Sequence, residues 1–187
     1  HADGAPMKLA IMQPYFLPYI GYFQLIAAVD QFVVYDRIKY TKKGWINRNR
    51  FLLNGSDAIF SLPLKKGSDA LNVAERELAI DFDRGKLLGQ FAGAYRRAPH
   101  LAQTMALMEN IIRHPDDNLF GYIHHSLTTL CAHLALQTEI RVSSTLSFDN
   151  ELKGQEKVVA ICQATSAQHY INPIGGTELY AKPDFAA

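Results

Sequence analysis

The chain has 187 residues, 48% of them hydrophobic, so it is long enough to bury the core of one ordinary domain. Its 19 basic and 18 acidic side chains nearly cancel, which excludes a general electrostatic attraction to nucleic acid and leaves only local patches for such contacts. Two cysteines do not make a disulfide framework, and no window approaches the roughly 18 apolar residues of a membrane span, so we expect a cytoplasmic protein without membrane insertion.

Neither end of the sequence carries a complete predicted element. Residues 1–6 have no periodic pattern and precede Met7, so we expect a non-native leader followed by the native start. Residues 182–187 resemble the beginning of a helix that is then cut off, which predicts a longer native chain. Residues 7–187 are expected to form a single α/β domain.

The first elements form a strand–helix–strand unit. Residues 8–12 are a short apolar run stopped by Gln13-Pro14, as in a buried strand. Residues 21–29 carry apolar side chains at helical spacing, and residues 31–35 form a second β-branched and aromatic run. A βαβ unit with a right-handed crossover is therefore expected.

The middle of the chain predicts a hairpin and then helices. Asn54-Gly55 separates two strand-like runs, 46–53 and 58–64, which is the signature of a β-hairpin. Helix-forming composition then dominates from 83 to 136, and Asp117 or Asn118 is a plausible cap. The predicted helices of this insert are 85–95, 98–113 and 118–136.

The last elements return to the strand–helix–strand pattern, with a strand at 139–143, a helix at 154–164 and a strand at 169–173. Together these elements predict an α/β fold with a parallel, Rossmann-like sheet, an inserted β-hairpin and a three-helix segment.

Two turns that follow strands are candidate parts of a small-molecule site, because ligands of open parallel sheets bind beyond the carboxyl ends of the strands. The first turn carries prolines, amide groups and tyrosines, and its helix start could hold an anion. The second turn carries an asparagine and a Gly-Gly pair. The alternative for the first is that its aromatic rings only pack under a rigid turn. The candidates are Gln13, Tyr15, Tyr19, Gly21 and Tyr22 in the first turn and Asn172, Gly175, Gly176 and Tyr180 in the second.

A basic segment lies between these turns, at residues 39–50, and holds the only tryptophan. Its arginine and lysine side chains suit a phosphorylated ligand, its asparagines suit polar edges, and its indole offers a stacking face. The alternative is a solvated edge hairpin whose lysines oppose aggregation. The candidate binding residues are Lys43, Trp45, Asn47, Arg48 and Asn49.

The histidines do not predict a metal site. His124 and His125 are adjacent on a helix and point in different directions, and His133 is two turns from His125. A histidine remains a candidate general base, and His125 or His169 would be that residue, although a structural role is an alternative for each. The sequence contains no Gly-x-Ser-x-Gly elbow, Walker loop or Rossmann glycine triplet, which argues against those enzyme classes and against a dinucleotide cofactor.

In combination, these motifs resemble the WbqC-like protein family across nearly the whole chain from Met7. The residues that carry the resemblance are Gln13-Pro14-Tyr15, Leu17-Pro18, Gly21-Tyr22-Phe23, Asp30, residues 44–49, His125-Ser126-Leu127, Ser143-Ser144, residues 170–173, Gly175-Gly176 and Leu179-Tyr180. The resemblance implies surface-polysaccharide (O-antigen) synthesis and work on a nucleotide-linked amino sugar. It further implies transfer of an acyl or aminoacyl group, such as glycyl, from an activated donor that could be aminoacyl-tRNA. We expect no cofactor.

A more distant likeness connects the first turn with nucleotidyltransferases of the HUP superfamily. Their His-x-Gly-His motif falls on Tyr19-Ile20-Gly21-Tyr22, where the glycine is kept and both histidines are replaced. The architecture is therefore expected to be HUP-like, but the groups that assist adenylyl transfer are missing. The alternatives to an acyltransferase are an ATP-dependent nucleotidyltransferase and a non-catalytic binding protein of a glycan-assembly complex.

Overall fold

The computed structural model describes residues 5–173, which fall into two compact units. The first unit holds the described residues up to Gln13, Tyr19–Arg37 and those from Leu134 onward; the second holds Pro14–Pro18 and Ile38–His133. In chain order, the elements are β1 (Lys8–Met12), α1 (Ile20–Ala27), β2 (Gln31–Val34), β3 (Arg48–Leu53), β4 (Ser56–Ser61), α2 (Arg84–Ala94), α3 (Leu101–Ile112), α4 (Leu119–His133), β5 (Glu139–Val142), α5 (Gly154–Ala164) and β6 (His169–Tyr170).

The first unit is built on a four-stranded parallel sheet in the order β5-β2-β1-β6. Helices lie on both of its faces. Leu9, Ile11 and Val33 pack with Val158 and Ile161 of α5 in one buried cluster. The other face is covered by α1, whose Tyr22 ring lies 5.3 Å from the ring of Phe32. The predicted parallel α/β fold of Rossmann-like type is therefore confirmed.

The strand order of this sheet reverses between β1 and β6. From β1 the chain proceeds through β2 to β5 on one side, and α5 then returns it to β6 on the other side of β1. Such a switch point leaves a crevice at the carboxyl ends of the two strands, because the following connections depart in opposite directions. The fold thus specifies where a ligand would bind.

The second unit combines the hairpin β3–β4 with helices α2 to α4. The hairpin turns at Asn54-Gly55, whose φ angles of +50° and +82° are those of the predicted Asn-Gly turn. On its inner face, Phe51 and Phe60 pack against Phe91 of α2, with ring centroids 5.5 and 5.0 Å from it. The predicted hairpin and three-helix segment therefore share one aromatic core.

Several element ends differ from their predictions for local reasons. α4 stops at His133 rather than 136 and is followed by Ala135, whose φ of +54° is incompatible with a continuing helix. β4 ends at Ser61 rather than 64 and is followed two residues later by Pro63, which has no N–H to donate to a ladder. A single domain over residues 7–187 stays a prediction. None of the helices between residues 5 and 173 is long and apolar enough to cross a membrane.

Candidate functional site at the carboxyl edge of the parallel sheet

Two amide side chains follow the two neighbouring strands at the switch point. Gln13 directly follows β1 and is exposed, and Asn172 lies two residues after β6. The two strands are neighbours, and the Ile171 N–H donates to the Leu9 carbonyl at 2.8 Å. Among the described residues, nothing accepts a hydrogen bond from the buried Asn172 Nδ2, while Tyr170 donates to its Oδ1 at 3.4 Å. An amide donor without an acceptor among the described residues therefore follows β6, the strand next to β1.

A buried carboxylate lies at the ends of the next two strands. Asp36 follows β2 and is only 5% exposed. Its Oδ1 accepts hydrogen bonds from Ser143 Oγ at 2.8 Å and from the Ser144 N–H at 3.1 Å, and its Oδ2 accepts one from Ser144 Oγ at 2.5 Å. These bonds connect the carboxyl ends of β2 and β5, because both serines lie in the short 3-10 helix after β5.

The Asp36 bond determines what the Ser144 hydroxyl can offer a ligand. A hydroxyl has one proton and two lone pairs, and Ser144 gives its proton to the carboxylate. Ser144 is half-buried, whereas Ser143 is fully buried. The remaining lone pairs of the Ser144 hydroxyl can therefore accept a hydrogen bond from a ligand that carries a donor group, such as an amine or a sugar hydroxyl.

A lysine from α5 belongs to the same edge. The Lys157 ammonium lies 5.0 Å from the centre of the Tyr35 ring, and the Tyr35 N–H donates to the Met12 carbonyl, next to Gln13. Burial lowers the pKa of Lys157, and the charges of Asp36 and Glu151 oppose this shift. An amine that loses its proton more readily than an ordinary lysine thus lies over the Tyr35 ring and interacts with the charge of Asp36.

The tyrosines of the first turn have structural roles that correct part of the sequence prediction. Tyr22 is 1% exposed, and its hydroxyl donates to the Gln13 carbonyl at 2.9 Å, so it positions Gln13 and has no surface for a substrate. Gly21 lets the exposed Tyr19 ring lie across the start of α1, since a Cβ at position 21 would come within 2.2 Å of that ring. Tyr15 lies half-buried in the second unit.

The asparagines of the hairpin segment are occupied by internal bonds. Asn47 is 7% exposed; its Oδ1 accepts from Tyr40 Oη at 3.0 Å, and its Nδ2 donates to the Leu62 carbonyl at 2.8 Å. Asn49 Nδ2 donates to the Leu17 carbonyl at 2.6 Å. These bonds give both amides a role in the fold, and their predicted role in ligand binding stays a prediction.

The cationic residues of the same segment remain at the surface. The Arg48 guanidinium donates to the carbonyls of Gly44 at 2.8 Å and Lys43 at 2.5 Å, and it lies 4.8 Å from the centre of the Trp45 ring. Lys43 and Trp45 are exposed. All three belong to the second unit, whereas the residues at the sheet edge belong to the first.

The two candidate histidines belong to different units. His125, in the second unit, stacks on His114 with ring centroids 3.7 Å apart, and its Nε2 lies 3.3 Å from Asn110 Oδ1. His169 begins β6 and pairs with Lys8, which places it at the amino edge of the sheet. Gly175, Gly176 and Tyr180 lie outside the described residues.

The sequence reasoning missed the group formed by Asp36, Ser144 and Lys157. The available signals were an aspartate closing the second strand and the Ser-Ser pair after the fifth. The positions of the strands in the sequence could not show that these residues lie at the same edge of the sheet. β2 and β5 are about a hundred residues apart, and their pairing depends on the sheet order. Within residues 5–173, no group of three or more histidine, cysteine or acidic side chains could hold a metal ion.

The fold and this edge define an α/β protein with a doubly wound parallel sheet and a candidate small-molecule site at its switch point. The chain belongs to the WbqC-like protein family, whose model matches residues 13–187. It is 31% identical over 171 residues to uncharacterized protein Rv1507c of Mycobacterium tuberculosis, a match that covers 88% of this chain and 71% of that protein. No solved structure matches the chain significantly.

Proposed function

We propose that the protein is a cytoplasmic transferase acting on a nucleotide-linked amino sugar in surface-polysaccharide (O-antigen) biosynthesis, and that it transfers an acyl or aminoacyl group, such as glycyl, to the sugar amine. The observation that carries the proposal is the Ser144 hydroxyl, which Asp36 restricts to accepting hydrogen bonds from a ligand. An amine is the matching donor. The resemblance to surface-polysaccharide proteins supplies the class of sugar, and an activated acyl donor completes the reaction.

The proposed reaction uses the side chains of the first unit in distinct roles. The Ser144 hydroxyl orients the sugar amine by accepting a hydrogen bond from one of its N–H groups. The amine nitrogen attacks the carbonyl carbon of the donor, and the carbonyl oxygen becomes an oxyanion that accepts hydrogen bonds from the amides of Gln13 and Asn172. The proton leaves the amine for the neutral form of Lys157, and the donor's leaving group departs with its electron pair.

This assignment replaces His125 with Lys157 as the base and treats Tyr22 as a positioning residue. It is favoured over nucleotidyl transfer because neither Tyr19 nor Tyr22 offers an imidazole for a phosphate. Pyrophosphate release on addition of ATP and Mg²⁺ would support that alternative instead. A non-catalytic binding protein would bind the nucleotide sugar and form no product.

The test combines product detection with variants of the sheet edge. The protein is incubated with nucleotide-linked amino sugars and a panel of acyl donors, including aminoacyl-tRNA, and mass spectrometry detects the added acyl group. Lys157→Arg, which keeps the charge but resists deprotonation, is expected to reduce turnover at least tenfold with ligand binding retained. Lys153→Arg, at the exposed start of α5, is the matched control and should keep full activity.

Binding is tested separately by calorimetry with the nucleotide sugars. Ser144→Ala removes the acceptor and is expected to weaken binding about tenfold, the equivalent of one hydrogen bond to a charged or strongly polar group. Ser147→Ala, at an exposed position nearby, should have no effect. The proposal fails if no donor gives a product, or if Ser144→Ala and Lys157→Arg both behave like their controls.

A further inference from the structure

The hairpin of the second unit has one packed face and one open face. Strand alternation puts Arg48, Arg50 and Leu52 on the side opposite the buried Phe51, and the ladder pairs Arg50 with Ile59 on the same side. Leu52 and Ile59 are each 56% exposed, and Trp45, which precedes the strand, is 40% exposed. We call this group, Trp45, Arg48, Arg50, Leu52 and Ile59, the outer face of the hairpin.

The outer face combines apolar side chains with positively charged ones. The guanidinium groups of Arg48 and Arg50 lie 4.8 and 5.0 Å from the centre of the Trp45 ring, so the indole is surrounded by positive charge. Among residues 5–173, Arg48 donates only to carbonyl oxygens and has no ion pair with an acid. The whole chain has a net charge of only +1, so this cationic surface reflects a local concentration of charge.

Two acidic side chains form ion pairs with basic residues between positions 42 and 50. Asp57 lies 3.4 Å from Arg50, and Asp69 lies 2.8 Å from Lys42, with all four side chains largely exposed. The neighbouring Lys43 has no ion pair within the described residues. Lys42, Lys43, Arg48 and Arg50 therefore outnumber the two acids, and the surplus charge is available to an anionic partner.

A cleft continues the outer face at the tip of the hairpin. Its volume is about 520 Å³, and it lies between residues 52–55 and residues 93–97 at the end of α2. The Leu52 N–H donates to Tyr95 Oη at 3.0 Å and thereby connects the two walls. Arg96 and Arg97 line the cleft, and both are exposed without a hydrogen-bond or ion-pair partner among the described residues.

We propose that the outer face and this cleft dock the protein on the surface of a bilayer rich in anionic phospholipids. Leu52, Ile59 and Trp45 would enter the boundary between headgroups and acyl chains, and the basic side chains would contact the lipid phosphates, with one headgroup in the cleft beside Arg96 and Arg97. Apolar side chains combined with lysine and arginine are the chemistry of interfacial membrane binding. This inference is independent of the proposed transferase activity.

Two other polyanionic or apolar partners fit the surface less well. Single-stranded RNA is bound by stacking on aromatic rings and by arginine, but it gains little from exposed leucine and isoleucine side chains. A protein partner would bury the apolar residues, but it would need its own acidic groups opposite six basic side chains. An anionic bilayer supplies the apolar layer and the phosphates together.

The test is co-sedimentation of the full chain with two kinds of vesicle. One contains phosphatidylcholine alone, and the other contains equal parts of phosphatidylcholine and phosphatidylglycerol. We expect binding only to the second kind, weakened by added salt because exposed charges are screened. We also expect a blue shift of tryptophan fluorescence on binding, since Trp45 is the only tryptophan.

Paired variants separate the charged from the apolar contribution. Arg96→Gln with Arg97→Gln, and Leu52→Ser with Ile59→Ser, should each weaken vesicle binding on the order of tenfold or more. Lys86→Gln with Arg113→Gln removes two exposed basic side chains elsewhere in the second unit and should bind like the parent protein. All these positions are at the surface, so circular dichroism should show the fold intact.

The proposal is overturned if both kinds of vesicle bind equally, or if neither double variant differs from the control pair. It is equally overturned if the chain binds a short single-stranded RNA or a protein partner through these residues but binds no vesicle. Nucleotide-sugar binding by the Arg96→Gln, Arg97→Gln variant should be unchanged, which keeps this test distinct from that of the transferase.

Discussion

Asn47 and Asn172 differ in how far the rest of the protein satisfies the hydrogen bonding of their side-chain amides. Both polar ends of the Asn47 amide are used by the fold, through Tyr40 and the Leu62 carbonyl. The Nδ2 of Asn172 is buried and has no acceptor among the described residues. A buried donor without an acceptor is costly unless a ligand or water supplies one, whereas a satisfied amide stabilises its surroundings. The structure therefore favours Asn172 over Asn47 as a ligand contact.

The Asn47→Ala variant tests this distinction at the scale of one residue. It leaves the Tyr40 hydroxyl and the Leu62 carbonyl without partners, so we expect the free energy of unfolding to fall by about 2 kcal/mol. Nucleotide-sugar binding should stay within twofold of the parent. Urea denaturation and calorimetry measure the two effects, with Gln90→Ala, an exposed amide on α2, as the control. A stable Asn47→Ala variant that no longer binds would restore the role that the sequence predicted.

The sequence did not indicate the internal hydrogen bonds of Asn47, and the reason is physical. Alternation along a strand tells which side chains share a face, but it does not tell whether that face is packed. The groups that satisfy Asn47 are 7 and 15 residues away, on a turn and beyond the second strand of the hairpin. Hydrogen-bond partners this far away in the sequence leave no pattern among the residues next to Asn47.

At the scale of the elements, local signals predicted most of the helices and strands. Apolar runs, proline and glycine located β1, α5 and the Asn54-Gly55 turn, because these features act over a few residues. The distribution of the elements between two units was not predicted. Phe91 packs on a hairpin some 30 to 40 residues earlier, which places the helical insert and the hairpin in one unit.

The start of α4 offers a test of one of these local signals. Asn118 caps the helix, because its Oδ1 accepts from the Gly121 N–H at 3.0 Å, and its Nδ2 donates to the Ala74 carbonyl at 2.7 Å. We expect Asn118→Ala to lower the free energy of unfolding by about 2 kcal/mol, the sum of a cap and a hydrogen bond. Thermal and urea unfolding measure the loss.

The serine variant at the same position divides that loss into its two parts. Asn118→Ser keeps a capping oxygen but loses the bond to Ala74, so it should cost about half as much as Asn118→Ala. If the serine and alanine variants are equally unstable, the helix cap contributes nothing and the bond to Ala74 accounts for the whole effect.

At the scale of the whole molecule, histidine protonation connects stability to pH. Burial lowers the pKa of His114, and the nearby charges of His125 and Arg84 lower it further, while Asp116 opposes them. Burial and His125 likewise lower the pKa of His124. The unfolded chain therefore binds protons on these two residues more readily than the folded chain. Their contribution to stability is fully present above pH 6.5 and is lost as the pH falls below that value.

We therefore expect the urea midpoint to fall between pH 7.5 and pH 5.5, a range in which exposed carboxylates stay ionised. The fluorescence of Trp45 reports the unfolding of the second unit, where both histidines lie. His114→Gln combined with His124→Gln should reduce the change in midpoint between the two pH values. His133→Gln, at the exposed end of α4, should leave that change as it is. If the double variant keeps the full pH dependence, groups other than these two half-buried imidazoles cause it, and the stacked pair formed by His114 and His125 is tolerated in its charged form.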